Sequence, residues 1–535
     1  MVTAGSAAIA IEKQLINDLN VFPVPDGDTG TNMTLTMGAG VTELQKKNPA
    51  TVSQAAEVTA SALLRGARGN SGVILSLLFR GLSKGLKDLD EADGKVFAKA
   101  MVDGVDAAYK AVMKPAEGTM LTVSRVASAA ALEFSAKEPS IELVLEHAIK
   151  IGHEAVAETI EQNPVLKKAG VIDAGGKGYV IILEGMLRAL RGEEITERTA
   201  SASEAPAQAA SEIPVNPEDI TFTYCTEFII ERTNQKDPNH MRGLLDGIGD
   251  SLVVVDDETM IKVHVHTDDP GRALTEGLAY GSLHNIKIEN MREQHAALHG
   301  GAPAAAVEDE HIIAPVEKPI GIVAVSAGEG LAHVFGELGV DKVVTGGQTM
   351  NPSTDDIVRA VDAVPAETVY VFPNNKNIIL AAQQAVPLAS KKVIIIPTQT
   401  IPQGVAALLA FDPTATEADN IAALEEAVSR VKTAQITYAS RDAEFDGHNI
   451  TEGQFLSLFD SSILTHGEDF DYVIDKTIAE IASYEPEFIT IFYGEDVDEA
   501  RANAVAEAMT ARVPSAEITV LDGGQPVYYF MISVE

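Results

Sequence analysis

Residues 19–33 read Leu-Asn-Val-Phe-Pro-Val-Pro-Asp-Gly-Asp-Thr-Gly-Thr-Asn-Met. Asp26 and Asp28 stand one glycine apart, a spacing that lets both carboxylates converge on a hard cation. The glycines allow a tight turn whose N–H groups face an anion. Thr29, Thr31 and Asn32 add neutral donors where a helix begins, a natural seat for phosphate. A calcium EF-hand loop fails here, because its sixth position is Thr31 instead of glycine and its twelfth is Met37 instead of glutamate. On its own, the stretch also reads as an Asp/Gly turn that merely caps a helix.

The surrounding block tips the balance. Arg68-Gly69-Asn70-Ser71-Gly72 precedes an apolar helix, Lys114 to Leu121 forms a Pro/Gly turn into another, and Asp173-Ala174-Gly175-Gly176-Lys177-Gly178 precedes a third. Small and apolar residues recur at three- and four-residue spacing in 52–64, 73–86, 96–113, 123–134 and 141–160, which predicts an all-α block up to about Arg191. Four Gly-rich helix starts on one helical domain predict a nucleotide rim built from loops at one end of a bundle. Neither a P-loop nor a protein-kinase signature set is present.

These motifs, in this order, resemble the nucleotide-binding (L-type) subunit of dihydroxyacetone kinases. The arrangement of the whole chain is closer still to the ATP-binding subunit of bacterial fatty acid kinase. The resemblance implies an N-terminal barrel of antiparallel helices in which Mg²⁺ bridges aspartates to the phosphates of ATP. Carried over, Asp26 and Asp28 become the catalytic metal ligands. The nucleotide is lined by Thr29, Gly30, Thr31, Asn32, Asn70, Ser71, Gly72, Gly118, Met120, Asp173 and Gly175. The dihydroxyacetone kinases carry a third aspartate a few residues before the pair; positions 21–25 here hold none, and Asn20 is the replacement.

The 535 residues include 40 basic and 78 acidic side chains, for a formal net charge of −38. That balance argues against a nucleic-acid partner and against a polybasic lipid-docking patch. Hydrophobic residues make up 46 %, enough for real cores and too many for a disordered chain. Cys225 is the only cysteine, which fits a cytoplasmic setting. No basic-then-apolar leader is visible, and no apolar run approaches the ~20 residues that span a bilayer.

Two stretches rich in Ala, Ser, Pro and Glu, 194–219 and 300–319, read as solvated linkers. They divide the chain into an all-α kinase domain (1–193), a mixed α/β middle domain (220–299) and a C-terminal α/β domain (320–535). In the middle domain, 222–230 and 260–266 read as strands and 241–247 and 272–279 as helices. The C-terminal domain opens with a βαβα rhythm: strands at 321–325, 342–345, 368–372 and 392–397 alternate with helices at 331–338, 355–364 and 378–389. A parallel sheet covered on both faces follows from it. A second lobe has strands at 488–492, 518–521 and 527–532 and a helix at 496–511.

His264 and His266, two apart on a strand, share a face and can reach one ion with Cys225 from another strand. Spacing alone leaves this beside a buried cysteine and two ordinary histidines; the fatty acid kinase resemblance places Zn²⁺ there. In the C-terminal domain, Ser326 to Glu329, Gly346-Gly347-Gln348 and Pro373 to Lys376 follow strand ends, where α/β sheets bind ligands or simply turn.

The resemblance further implies a homodimer that transfers phosphate from ATP to a fatty acid. The acid is presented by a separate fatty-acid-binding carrier protein, which docks on the C-terminal domain, and the acyl-phosphate feeds phospholipid synthesis. A carboxylate acceptor is already ionised at neutral pH and needs no general base. Two alternatives stand beside this. A glycerone-type small-polyol kinase would need a substrate histidine, for which His333 and His448 are available. A regulator would bind nucleotide without transferring it.

Overall fold

The computed structural model describes residues 1–20, 28–112, 115–193, 222–232, 234, 236, 238–256, 260–290, 311–347, 351–445, 448–460 and 462–535. The stretch 194–219 and Asp26 lie outside them, as do Gln348 and the first part of 300–319. Two compact units are present: one combines 1–200 with 311–535, and the other is 201–310.

The N-terminal part of the first unit is helical: α1 (Val2–Ile11), α2 (Lys13–Asp18), α3 (Thr29–Lys47), α4 (Val52–Gly66), α5 (Gly69–Gly85), α6 (Gly94–Ala111), α7 (Met120–Ser135), α8 (Ile141–Gln162), α9 (Pro164–Ala169) and α10 (Ala174–Leu190). Side-chain caps mark several starts, with Thr51, Asp93, Ser140 and Asp173 each accepting a backbone N–H from the first turn. Long helices consecutive in the chain pack against one another, and α1 closes the ring by packing on both α3 and α10. The result is a barrel whose centre holds Met33, Leu63, Val73, Val123, Val180 and Ile182, all fully or almost fully buried. The crossing of α5 on α6 depends on missing side chains: a Cβ on Gly104 would sit 2.5 Å from the Leu78 carbonyl oxygen.

An alternating up-and-down ring has a consequence for charge. Helices α3, α5, α7 and α10 run in the same sense, separated by returning helices, so their N-termini gather at one end of the barrel. Each brings the positive end of its macrodipole and first-turn N–H groups that its own helix does not satisfy.

The C-terminal part of this unit has two lobes. The first contains β5 (Lys318–Ser326), α13 (Glu329–Glu337), β6 (Lys342–Thr345), α14 (Thr354–Ala363), β7 (Ala366–Phe372), α15 (Ile379–Ala385), β8 (Lys392–Ile395), α16 (Ile401–Leu409) and α17 (Glu417–Arg430). Its sheet is wholly parallel, in the order β6-β5-β7-β8. Strand alternation feeds two cores: Ile322, Ala324, Tyr370 and Phe372 pack toward one face, and Val323, Val325, Val369 and Val371 toward the other. The second of these cores is continuous with that of the helical barrel.

The second lobe differs in detail from the sequence expectation. Besides β14 (Phe488–Tyr493), α19 (Glu499–Arg512), β15 (Glu517–Asp522) and β16 (Phe530–Val534), it contains β9 (Lys432–Tyr438), β12 (Phe455–Phe459), β13 (Ser462–Gly467) and α18 (Phe470–Ala482), with a hairpin β10 (Ala443–Phe445) and β11 (His448–Ile450). Its six-stranded sheet runs β13-β12-β9-β16-β14-β15, and β14 with β15 is the parallel pair. The last strand begins at Phe530 and not at Val527. Val527 sits at φ 74° in a turn after Pro526, held by Gln525 Nε2 donating to the Tyr528 carbonyl. Lys318 and Pro319, read as linker, belong to β5. His311 and Ala314 are also anchored, His311 through Nε2 to the fully buried Asp362 carboxylate (2.6 Å) and Ala314 through its N–H to the Asp362 carbonyl.

The other unit is an antiparallel sheet in the order β2-β3-β1-β4, made of β1 (Tyr224–Arg232), β2 (Gly249–Asp256), β3 (Met260–Thr267) and β4 (Gly281–Asn290), with α11 (Asn239–Asp246) and α12 (Pro270–Leu278). Phe228, Ile230, Ile261, Val263 and Val265 alternate inward against Met241, Leu245 and Ala273 of the two helices.

Candidate functional site

Where the four helix N-termini meet, they enclose a cavity of about 300 Å³. Asp28 and Thr29 come from the start of α3, Asn70 and Ser71 from α5, Thr119 and Met120 from α7, and Asp173, Ala174 and Gly175 from α10. Asn20 and Asn32 complete the polar wall, and Leu19, Ile74 and Leu166 supply an apolar side. Apolar surface beside an anion-seeking end suits a ligand with a flat ring and a phosphate tail.

The local folding explains each placement. Asn17 Oδ1 on α2 accepts the N–H groups of Gly30 (2.8 Å) and Thr31 (3.2 Å), and its Nδ2 donates to Thr31 Oγ1, so the start of α3 is tied to α2. Thr29 Oγ1 donates to Asn20 Oδ1 at 2.8 Å. That leaves the buried Asn20 Nδ2, a donor on the cavity wall, with no hydrogen-bond partner among the described residues. An orphaned buried donor carries a desolvation cost that an anionic ligand would relieve.

Asp173 joins two of the helix starts. Its Oδ2 accepts the Gly176 N–H at 2.6 Å, and the carboxylate also receives the Met120 N–H. Burial pushes its pKa up from 3.8 to about 6, against the opposing pull of those two amides. A carboxyl perturbed by desolvation on a cavity wall is a feature that functional sites concentrate.

Of the residues anticipated for the nucleotide, Thr29, Asn32, Asn70, Ser71, Met120, Asp173 and Gly175 line the cavity, together with Asn20 and Asp28. Gly30, Thr31, Gly72 and Gly118 do not. Gly30 and Gly72 are packing positions, with an added Cβ 2.2 Å from the Lys13 carbonyl oxygen and 2.4 Å from Thr36 Oγ1 respectively. Thr31 is bonded to Asn17. Gly118 turns at φ 72° and donates its N–H to Thr122 Oγ1.

Lys376 and Asn377, from the loop after β7, also line the cavity, and Asn351 Nδ2 donates to Asp28 Oδ2. Their sequence signal, an Asn-rich turn at a strand end, points to a ligand site but not to this one.

Among the described residues no three His, Cys, Asp or Glu side chains cluster to hold a metal. The oxygens fit a hard cation in kind: Asp28 offers carboxylate, and Asn20 and Thr29, which line the same cavity, offer an amide oxygen and a hydroxyl. In the antiparallel register of the middle unit, Cys225 pairs with His266, and His264 with Glu227, so the three anticipated zinc ligands occupy one face of adjacent strands. The side chains of Cys225 and His264 lie outside the described residues.

Residues 23–188, which make up most of this helical barrel, match the DAK2 domain model. Residues 221–298 match the middle-domain model of the FakA-like fatty acid kinase family, and residues 321–535 match the C-terminal model of the same family. Protein YloV of Bacillus subtilis (strain 168) is 39 % identical over 543 residues, covering all of this chain and 98 % of the relative. An uncharacterized protein of Staphylococcus aureus (strain USA300) is 37 % identical over 544 residues, at the same coverage. The chain therefore belongs to the FakA-like fatty acid kinase family. Solved structures with a weaker likeness include the linoleic-acid-loaded fatty acid kinase B3 protein of Streptococcus pneumoniae, with TM-score 0.30 and 10 % identity, covering 41 % of this chain and 99 % of that one. The dihydroxyacetone kinase of C. freundii has TM-score 0.28 and 17 % identity, covering 35 % and 34 %. Among the described residues no helix is long and apolar enough to cross a membrane.

Proposed function

We propose that this chain is the ATP-binding subunit of a fatty acid kinase. It transfers the γ-phosphoryl group of ATP to the carboxylate of a fatty acid held by a separate carrier protein, yielding an acyl-phosphate for phospholipid synthesis. The observation that carries this reading is the convergence of four helix N-termini, an Asn20 donor unpartnered among the described residues and the Asp28 carboxylate on one cavity, in a chain whose family is named for that activity.

Phosphoryl transfer needs positioning and neutralisation of charge more than covalent help from the protein. Amides at the starts of α5 and α10, Asn20 Nδ2 and the Ser71 hydroxyl would hold the phosphates; Leu19, Ile74 and Leu166 would cover the base. Asp28, with Asp26, would hold Mg²⁺, whose charge draws electron density from the transferring group. Asp173 fixes the start of α10 against that of α7 and keeps both sets of amides aimed at the ligand. The acceptor carboxylate arrives ionised, so no side chain has to remove a proton. Zinc on Cys225, His264 and His266, and assembly as a homodimer, belong to the same reading.

The test is transfer of label from [γ-³²P]ATP to oleate with and without fatty-acid-binding carrier proteins. Carrier-dependent formation of labelled acyl-phosphate, lost in Asp28→Ala with the circular dichroism spectrum unchanged, is expected. Full activity in that variant removes the metal role. Label appearing on glycerone and not on fatty acid would move the acceptor to a small polyol.

A further inference from the structure

The C-terminal lobe does more than sit beside the barrel. Arg68, just before α5, donates through Nη1 to the Asn351 carbonyl at 2.6 Å and pairs through Nη2 with Asp356 at 3.5 Å. The Thr354 N–H donates to the Ala67 carbonyl at 3.0 Å, and Arg65 pairs with Asp355 at 3.3 Å. Helix α15 packs on α5, and Arg441 donates to the carbonyls of Asn17 and Asp18. This docking carries three C-terminal residues to the cavity: Asn351, bonded to Asp28, and Lys376 and Asn377 on its wall.

The loop that bears Lys376 is fixed on both sides. Asn374 is buried at φ 56°; its N–H donates to Thr398 Oγ1 and its Nδ2 to the Val325 carbonyl, both at 3.0 Å. The Asn377 N–H donates to Asn375 Oδ1 at 2.8 Å, and Asn70 Nδ2 reaches Asn377 Oδ1 at 3.5 Å. Charge then becomes informative. Among the described residues lining the cavity, the other two that can ionise are acids, Asp28 and Asp173, and Lys376 is the one cation. A triphosphate in a chain of net charge −38 needs a compensating positive group.

We propose that the C-terminal lobe completes the nucleotide site, with Lys376 as a phosphate-binding residue for the nucleotide held by the N-terminal barrel. This rests on the ATP-binding reading above and adds to it: the C-terminal block, besides any docking of a carrier, contributes to the nucleotide site directly.

The test uses the full chain and calorimetric titration with MgATP and, separately, with adenosine. Lys376→Gln is expected to weaken MgATP about tenfold, a cautious value for losing one unit charge a few ångströms from the phosphates in partly screened surroundings. Adenosine affinity should be unchanged, and Lys376→Arg should retain MgATP binding to within about threefold, since it keeps the charge. Unchanged MgATP affinity in Lys376→Gln, with binding lost in Asp28→Ala, would overturn the Lys376 role and leave the kinase reading intact. An equal loss of adenosine and MgATP binding would show a structural effect and overturn it as well. Absence of MgATP binding in the unaltered chain would take down both.

Discussion

Asp173→Asn should make the protein more stable at neutral pH, and the gain should vanish in acid. The folded chain holds the Asp173 proton more tightly than the unfolded chain, with a pKa of about 6 against 3.8. Below pH ~4 the carboxyl is neutral in both states and costs nothing. Between about pH 4 and 6 the unfolded chain ionises while the folded one does not, so native stability falls as pH rises, and above pH ~6 the loss is complete. At ~1.4 kcal/mol per pKa unit, the shift corresponds to about 3 kcal/mol, and partial exposure of the group trims that to about 2–3 kcal/mol. An asparagine is neutral throughout and its Oδ1 can still accept the Gly176 and Met120 amides. Urea unfolding followed by helical circular dichroism, in buffers from pH 4 to 7.5, gives the difference between variant and parent. That difference should rise by about 2–3 kcal/mol across the range, with its midpoint between pH 4 and 6. A difference independent of pH would refute the desolvated carboxyl at the start of α10.

Gly30→Ala places a Cβ 2.2 Å from the Lys13 carbonyl oxygen and 3.0 Å from Asn17 Oδ1. It should destabilise the barrel by about 1–3 kcal/mol in thermal denaturation and weaken nucleotide binding by displacing the start of α3; an unchanged melting temperature would contradict the α2–α3 contact. Arg68→Ala removes the bond to the Asn351 carbonyl and the pair with Asp356, so amide hydrogen exchange in residues 351–356 should quicken, and exchange at the parent rate would deny that Arg68 anchors the lobe.

The helical barrel was legible because its helices carry apolar residues at helical spacing: the expected 52–64, 123–134 and 141–160 fall within α4, α7 and α8. Helices α1 and α3 were harder to read. Residues 2–11 are apolar almost throughout, and the start of α3 alternates threonine and glycine, so neither shows a clear stripe. Local sequence marked the helix starts around the cavity because caps and glycines act within a few residues. It did not separate residues that line the cavity, such as Ser71, from neighbours that pack helices, such as Gly72, because both roles demand small side chains at the same turn. Lys376 was out of reach for another reason. Its place in the cavity depends on how the C-terminal lobe docks through Arg65, Arg68 and Arg441, contacts that span hundreds of residues and leave no local pattern.

The kinase reading requires the ring of helix N-termini to hold the phosphates of ATP. A crystal grown with Mg²⁺ and a non-hydrolysable ATP analogue tests it most directly. Density for the phosphate chain within hydrogen-bonding distance of Asn20 Nδ2 and the amides at the starts of α5 and α10, with a metal on Asp28, is the predicted result. Nucleotide bound elsewhere, with that cavity filled by solvent alone, would contradict it.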